Sequence, residues 1–462
     1  MRALLPLSTA LLLAACASAP EPARPAVAVP DRFAQAASPS AAEPVAAFWR
    51  AFGDAELDAL IGEALAANRD LRVAAARVAE ARALADATRG YGRPNLELTG
   101  GASRARERQG DAPAVTNSTF RVGLASTWEI DWLGGSGRVA NEQRAAQAGQ
   151  AAAEAIARGA QVSVAAEVAR NYFELRGLQE QVRVTTLDLG TQREALKLVE
   201  ARLDAGRGTA LDTERARALV EGTAATLPAL ETTLARTRMR LAVLCGQTPA
   251  AFDARLAEQK PLPGLPATPL ASIGSPQTLL ARRPDVAAAE QLLRAADAQS
   301  GIARTRLYPS LTLTGSLGLN AGRIGDLGDA GTFVANLGAS LLWTLVDHGQ
   351  RKAQVTAADA RRDAALAQFD QTVLGALEET EGAFVTFTRS QQRSESLFAA
   401  AKAAEGAARI ARARFAAGST DFLVLLDAER QLLLARDQLA QAQTGAAVAL
   451  VGVYRTLAGG WR

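Results

Sequence analysis

The chain has 462 residues, with 51 Lys and Arg against 48 Asp and Glu and a formal net charge of +3. That near balance excludes the basic footprint of a nucleic-acid-binding protein. A single histidine, His348, two methionines and two cysteines argue against a zinc site, a histidine-dependent triad or a soft-metal track, and no catalytic set or cofactor site is visible.

Arg2 opens an apolar run from Ala3 to Ala15 that is too short for an anchor helix and has the form of a secretory signal, residues 1–15. It ends Leu13-Ala14-Ala15-Cys16, which resembles a bacterial lipobox: small residues admit the signal peptidase, and Cys16 accepts a covalent lipid. The mature chain is expected to begin at Cys16, and Ala17 in place of an aspartate favours sorting to the outer membrane. Several acyl chains hold a protein firmly where one holds it weakly. Residues 16–47 are crowded with Pro and Ala and have no apolar period, so they read as an extended tether. Cys245 has no partner if Cys16 is acylated, and at the end of an apolar helical stretch it reads as a small buried hydrophobe.

The body then states one pattern twice. Asn68-Arg69-Asp70-Leu71 is answered by Arg283-Pro284-Asp285-Val286, Pro94 by Pro309 and Trp128 by Trp343, each at an offset of 215 (285−70, 309−94, 343−128). Arg202-Leu203-Asp204-Ala205-Gly206 matches Arg414-Phe415-Ala416-Ala417-Gly418 at 212, so the second copy carries small deletions. Two copies at this period are a duplicated subdomain, not a solenoid: residues 48–247 and 276–462, separated by a Pro-rich linker over 248–275.

Four segments show period-two alternation, about 95–103 and 119–129 in the first copy and 310–320 and 332–344 in the second. Leu96 and Leu98 alternate with Glu97 and Thr99, and Leu311, Leu313, Leu317 and Leu319 with Thr312, Thr314, Ser316 and Asn320. About ten residues with apolar and polar faces is the form of a strand crossing an outer membrane. Phe120, Trp128, Phe333 and Trp343 stand at strand ends, where interfacial aromatics are expected. No internal segment has the form of a transmembrane helix, so any crossing falls to these strands. Four strands cannot close a barrel, since an open edge in lipid leaves backbone groups unpaired at several kcal/mol each. Several chains must contribute; three give twelve strands, and the count alone also allows two or four.

The remainder is helical. Val139–Leu203 and Arg351–Phe415 contain no proline, and some 65 residues at 1.5 Å each reach about 100 Å. Reversals fall at Gly206 and Gly418, and return helices are expected over Ala210–Cys245 and Thr420–Leu457. Leu and Val at three- and four-residue spacing with Ala between allow close coiled-coil packing. Gly134-Gly135-Ser136-Gly137 lacks the Lys-Ser/Thr ending of a phosphate loop and reads as a turn from strand to helix.

Together, the lipobox, the Pro-rich tether, Phe48-Trp49 with Phe52-Gly53-Asp54, Pro94 and Pro309 before the strands, Trp128-Glu129-Ile130-Asp131 and the ending Leu457-Ala-Gly-Gly-Trp461 are similar to the TolC-like outer-membrane efflux factors, in the NodT-type lipoprotein branch. The resemblance covers essentially all of the mature chain. It implies an α+β membrane protein with internal duplication: a homotrimer with a twelve-stranded transmembrane β-barrel, four strands per chain, on a long α-helical coiled-coil barrel in the periplasm. It further implies a passive duct that receives small molecules such as drugs from a periplasmic adaptor (membrane fusion) protein and a proton-driven inner-membrane pump.

In that resemblance the start of the last helix lines the periplasmic end of the tunnel. Leu423, Asp427 and Arg430 share one helical face. Around a threefold axis Leu423 would form a dewetting constriction and Asp427 a ring of like charge. Arg430 and Phe415 are the expected latches to neighbouring helices, with Asp204, Arg207 and Asp212 at the matching turn as candidate latch partners. The family often has a basic residue just before the turn glycine; here Ala416 and Ala417 stand there, leaving one latch contact unassigned. Other readings are a conduit for type I protein secretion or metal-ion export, a lipid-anchored periplasmic coiled-coil scaffold, and a lipoprotein enzyme. The scaffold leaves the four strands without a purpose, and the enzyme lacks a visible nucleophile and base.

Overall fold

The computed structural model describes residues 27–34, 47–133, 137–252, 255–266 and 275–457. Cys16, most of the expected tether and Trp461 lie outside them. The chain divides into two compact units, one built on Arg77–Glu154 and Ala288–Gln371, the other on Val27–Ala76, Ala155–Ala287 and Thr372–Arg462. Each unit draws on both halves of the sequence repeat, so neither coincides with one copy.

In the first unit, β1 (Glu97–Glu107), β2 (Val115–Ile130), β3 (Ser310–Ala321) and β4 (Phe333–Leu342) form one antiparallel sheet in that order. β1–β2 and β3–β4 are hairpins within one copy, whereas the β2–β3 ladder joins the copies, from Phe120 opposite Ala321 to Ile130 opposite Leu311. The first hairpin is longer than its alternation predicts: β1 starts at Glu97 but continues to Glu107, past the expected end at Ser103, and β2 starts at Val115, not Thr119. Charged residues such as Arg104 and Arg106 end the apolar pattern there. Ladder bonds are made by the backbone and continue beneath any side chain. β4 is shorter than expected and stops at Leu342.

Midway along the β2–β3 ladder Gly123 faces Gly318. A Cβ on Gly123 would stand 2.6 Å from the Leu317 carbonyl oxygen and 2.9 Å from Gly318 Cα, and one on Gly318 would stand 2.6 Å from the Val122 carbonyl oxygen. The obstructing atoms are backbone and cannot swing aside, so this close approach requires both glycines.

Helix caps and long helices shape the rest. α1 (Ala55–Ala67) is capped by Asp54, whose Oδ1 accepts from the backbone N–H of Glu56 at 2.9 Å and Leu57 at 3.1 Å. Gly53, at φ 63°, supplies the left-handed residue that ends the preceding 3₁₀ turn, Phe48–Phe52. That turn buries Phe48, Trp49 and Phe52 in the core of the second unit, with Phe48 stacked on Tyr454 at 5.0 Å between ring centroids and Phe52 against Phe173 at 4.7 Å. Cys245 belongs to the same core, and burial pushes its thiol up to about 11. Arg176, 2% exposed, is held there by four groups: Nε donates to the Tyr172 hydroxyl at 3.1 Å, and Nη1 to Gln179 Oε1 at 2.8 Å and the Glu258 carbonyl at 3.0 Å, while its guanidinium lies 5.0 Å from the Tyr172 ring centre. Tyr172 in turn donates to Asp54 Oδ2 at 2.6 Å. Burial and then this bond raise the phenol well above its ordinary range. The cap carboxylate thus balances a buried cation through a phenol.

After α2 (Arg69–Thr88) and the first hairpin come α3 (Arg138–Asp204), α4 (Ala210–Ala224), α5 (Thr226–Leu244), the short α6 (Pro249–Phe252) and α7 (Pro276–Leu280), and α8 (Pro284–Thr305). The second hairpin is followed by α9 (Gln350–Ala416) and α10 (Phe422–Thr456). α3 and α9 each have 67 residues, about 100 Å at 1.5 Å per residue. The first return helix is divided at Ala225, where a single helix over Ala210–Cys245 is expected from sequence. Pro228 explains the break, since it has no N–H to donate and its ring meets the carbonyl of Ala224, four residues earlier. The duplication persists in the bonds: Asn68 Nδ2 donates to the Leu244 carbonyl at 2.9 Å, and its equivalent Arg283 Nη1 donates to the Thr456 carbonyl at 3.1 Å. Each ties the start of its copy to the last turn of that copy's return helix.

Gly123→Val should lower the thermal midpoint followed by β-sheet circular dichroism, by overpacking of about 1–3 kcal/mol or more. Gly101→Ala, whose Cβ would meet nothing within 4 Å, should leave it unchanged. Equal melting of both variants and the parent would show that the glycine pair does not set the junction.

Candidate functional site

The register sorts the sheet into two faces, because directly paired residues point the same way. One face carries Leu98, Phe120, Val122, Leu124, Trp128, Leu313, Leu317, Leu319, Phe333, Leu337 and Leu341; the other carries Thr99, Arg121, Thr127, Thr312, Thr314, Asn320, Asn336 and Ser340. The apolar face is uncovered within the chain, with Leu98 at 77% exposure and Leu337 at 83%. Exposed apolar area this continuous marks a surface that meets something other than water. Among the described residues no helix is long and apolar enough to cross a membrane.

Three of the predicted interfacial aromatics, Phe120, Trp128 and Phe333, belong to this face, and Trp343 directly follows the end of β4. Trp128 Nε1 donates to the Gly92 carbonyl and Trp343 Nε1 to the Leu307 carbonyl, both at 3.1 Å, so equivalent indoles tie equivalent strand ends to the turns before β1 and β3. Trp132, which the alternation does not single out, does likewise, donating to the Pro309 carbonyl at 2.9 Å. Phe120 and Phe333 stand toward the hairpin ends, eight and ten residues from their tryptophans (128−120, 343−333). At about 3.3 Å per residue these spans are about 26–33 Å along the strand, which a tilt of about 40° shortens to about 20–26 Å, near the height of an outer-membrane apolar band.

The second candidate region is the pair of helix reversals. Gly206 and Gly418, both at φ 70°, end α3 and α9 in the same way: the Arg207 N–H bonds the Arg202 carbonyl at 2.8 Å and the Ser419 N–H bonds the Arg414 carbonyl at 2.9 Å. Between the reversals lies a small core of Val199, Ala216, Ala411, Phe415, Phe422, Leu425 and Leu426. Phe415 is therefore buried, against Phe422 at 5.6 Å between ring centroids. Its link to the first copy is Arg202, whose guanidinium stands 4.0 Å from the ring centre and whose Nη2 donates to the Phe415 carbonyl at 2.6 Å. Asp204, Arg207 and Asp212 do not make this contact. Asp212 bonds Thr209 at the α4 cap, and Asp204 and Arg207 are exposed with no side-chain partner among the described residues.

Two arginines brace the same helices through ion pairs. Arg412 on α9 grips Glu429 on α10 through both nitrogens of a bidentate pair, and Glu429 is nearly buried. Farther along, Arg436 Nη1 reaches the buried Asp188 Oδ1 at 2.6 Å, and its Nη2 reaches Glu405 at 3.2 Å. Burial raises the Asp188 carboxyl despite Arg436, so it takes up a proton at higher pH than an ordinary aspartate. Sequence reasoning missed these braces. The one available signal was that Arg202 and Arg414 stand four residues before each turn glycine. Pairing of Arg412 with Glu429 depends on how two helices lie side by side.

Leu423, Asp427 and Arg430 are exposed along one face of α10, with Val424 and Leu434 beside them. Neither Asp427 nor Arg430 has a side-chain partner among the described residues. Apolar groups and unpaired charges are thus presented together on a face that the chain itself does not use.

The outer membrane efflux protein family model matches the chain twice, over residues 60–247 and 275–459. The pyoverdine export outer membrane protein OpmQ of Pseudomonas aeruginosa is 32% identical over 468 residues, covering 99% of this chain and 96% of that protein. The "Probable outer membrane lipoprotein SilC" of Salmonella typhimurium is 28% identical, covering 99% of this chain and 98% of its own length. The solved structure of the outer-membrane channel OprN is 37% identical and superposes with a TM-score of 0.90, over 96% of this chain and all of that one. With a family model spanning both halves and relatives matched from end to end, this chain belongs to the outer membrane efflux protein family.

Proposed function

We propose that three copies of this chain close a twelve-stranded barrel in the outer membrane of a Gram-negative cell, continuous with a helical tunnel in the periplasm. The duct is passive: a proton-driven inner-membrane pump and its periplasmic adaptor deliver small molecules, and the channel carries them outward. The observation that carries this reading is the open four-stranded sheet, with its uncovered apolar face between two aromatic rows and its outer edges at β1 and β4. In lipid those edges must be paired, and identical chains around an axis pair β1 of one copy with β4 of the next. Lipid on Cys16 would add an anchor on the periplasmic side.

Leu423, Asp427 and Arg430 form the gate in this proposal. Their exposed face on α10 turns to the axis, where three Leu423 side chains exclude water and three Asp427 carboxylates draw cations. The Arg202–Phe415 and Arg412–Glu429 contacts hold the inner helices against the outer ones. Asp204, Arg207 and Asp212, which make no such contact within the chain, remain candidate latch partners toward a neighbouring copy.

Chemical cross-linking of the purified protein in detergent should therefore saturate at three subunits. A monodisperse monomer with an intact β signal would overturn the barrel.

In planar bilayers Asp427→Asn should lower cation preference, and Leu423→Ala, Arg430→Ala and Arg202→Ala should each raise single-channel conductance several-fold. Arg412→Ala should open the channel further, because it leaves the nearly buried Glu429 carboxylate without its partner, a loss of about 1–3 kcal/mol. Pump-driven efflux should continue in Arg202→Ala and Arg412→Ala, since removing a brace leaves the tunnel lining unchanged. Parent-like conductance and selectivity throughout the set would place the constriction elsewhere.

A further inference from the structure

The first hairpin continues past the end of the second, and what it carries there is one-sided. Phe120 pairs with Ala102 on one side and with Ala321, the last residue of β3, on the other. Beyond that row β1 and β2 remain paired for five more positions, from Ser103 opposite Thr119 to Glu107 opposite Val115, a rise of about 17 Å. Register places Arg104 opposite Ser118 and Arg106 opposite Thr116, on the face that carries Leu98, Val122, Leu124 and Phe120. The only carboxylate in this part of the ladder, Glu107, falls on the other face. Both arginines are exposed, and among the described residues neither has an ion pair or side-chain hydrogen bond.

Two guanidinium groups about 7 Å apart along the strand therefore stand in line with the apolar band, just beyond its hairpin-end aromatic. If they served only to keep the hairpin soluble, nothing would require them to share the lipid-side face. Guanidinium groups at the edge of an apolar belt match phosphate, which they bind in forked, charge-assisted pairs. We propose that Arg104 and Arg106 bind the phosphate groups of glycolipid headgroups in the outer leaflet, fixing the depth of the barrel and keying each subunit to the membrane surface. The assignment rests on the barrel reading above, which sets the hairpin tips on the exterior side.

The test uses the full acylated protein in detergent, offered bisphosphorylated lipid A or the same lipid with its phosphates removed, with retained lipid counted by native mass spectrometry. At low salt the parent should retain about ten times more of the phosphorylated form, and the preference should fall as ionic strength rises. Arg104→Ser with Arg106→Ser should reduce retention to the level of the dephosphorylated lipid. Arg121→Ser, which removes a cation from the opposite face, should leave the preference intact. Equal retention of the two lipids by the parent, or an unchanged preference in the double variant, overturns the proposal. If the double variant does not fold, the parent's choice between the two lipids decides alone. Subunit number and β content from the same samples keep the two readings apart: a trimer without lipid preference removes only this site, whereas loss of the trimer in the parent removes the barrel.

Discussion

The antiparallel ladder between β2 and β3 is the interaction on which the rest of the architecture depends. It is the one place in the sheet where the two copies of the duplicated sequence meet, and it succeeds because Gly123 and Gly318 let two backbones approach without a Cβ between them. Once it forms, both hairpins become a single four-stranded meander with most of its large apolar side chains on one face. The two remaining edges, β1 and β4, then present backbone donors and acceptors that only another chain can satisfy in lipid. In the proposed barrel, strand pairing within one molecule thus poses the demand for assembly between molecules.

The helical part follows the same economy of repetition with deliberate differences. Both long helices have the same length and the same left-handed glycine cap, yet one return helix is broken by Pro228 and the other runs unbroken for 35 residues. Asn68 and Arg283 occupy equivalent positions and bond equivalent carbonyls, but only Arg283 carries charge, and it is also paired with Asp285 and Glu379. At the reversals the asymmetry is sharper. Arg202 of the first copy embraces Phe415 of the second, whereas the second copy's Arg412 pairs within its own helix pair.

Motifs first noted as markers acquire physical roles. Phe48, Trp49 and Phe52 are core residues of the second unit, and Asp54 both caps α1 and accepts the Tyr172 hydroxyl that holds Arg176. Trp128 and Trp343, expected from sequence at the membrane interface, fasten strand ends to the turns before them through their indole N–H groups. A residue pattern can therefore be legible before its reason is. The hairpin beyond Phe120 shows the opposite case: Arg104 and Arg106 ended the readable alternation, although the backbone ladder did not end there.

Local periodicity and local chemistry were determined by the sequence alone. Period-two segments made strands, long proline-free stretches made helices, Gly206 and Gly418 made reversals, and the 215-residue offset exposed the duplication. These depend on neighbours within a few residues, or on comparison of the chain with itself. Tertiary structure alone decided that each compact unit is assembled from both copies, that Gly123 must meet Gly318, and that Arg202 and Arg412, not Asp204, Arg207 or Asp212, join the helices at the reversals. Those contacts link residues up to about two hundred positions apart, and no local spacing encodes which faces of two helices or which edges of two hairpins will be pressed together.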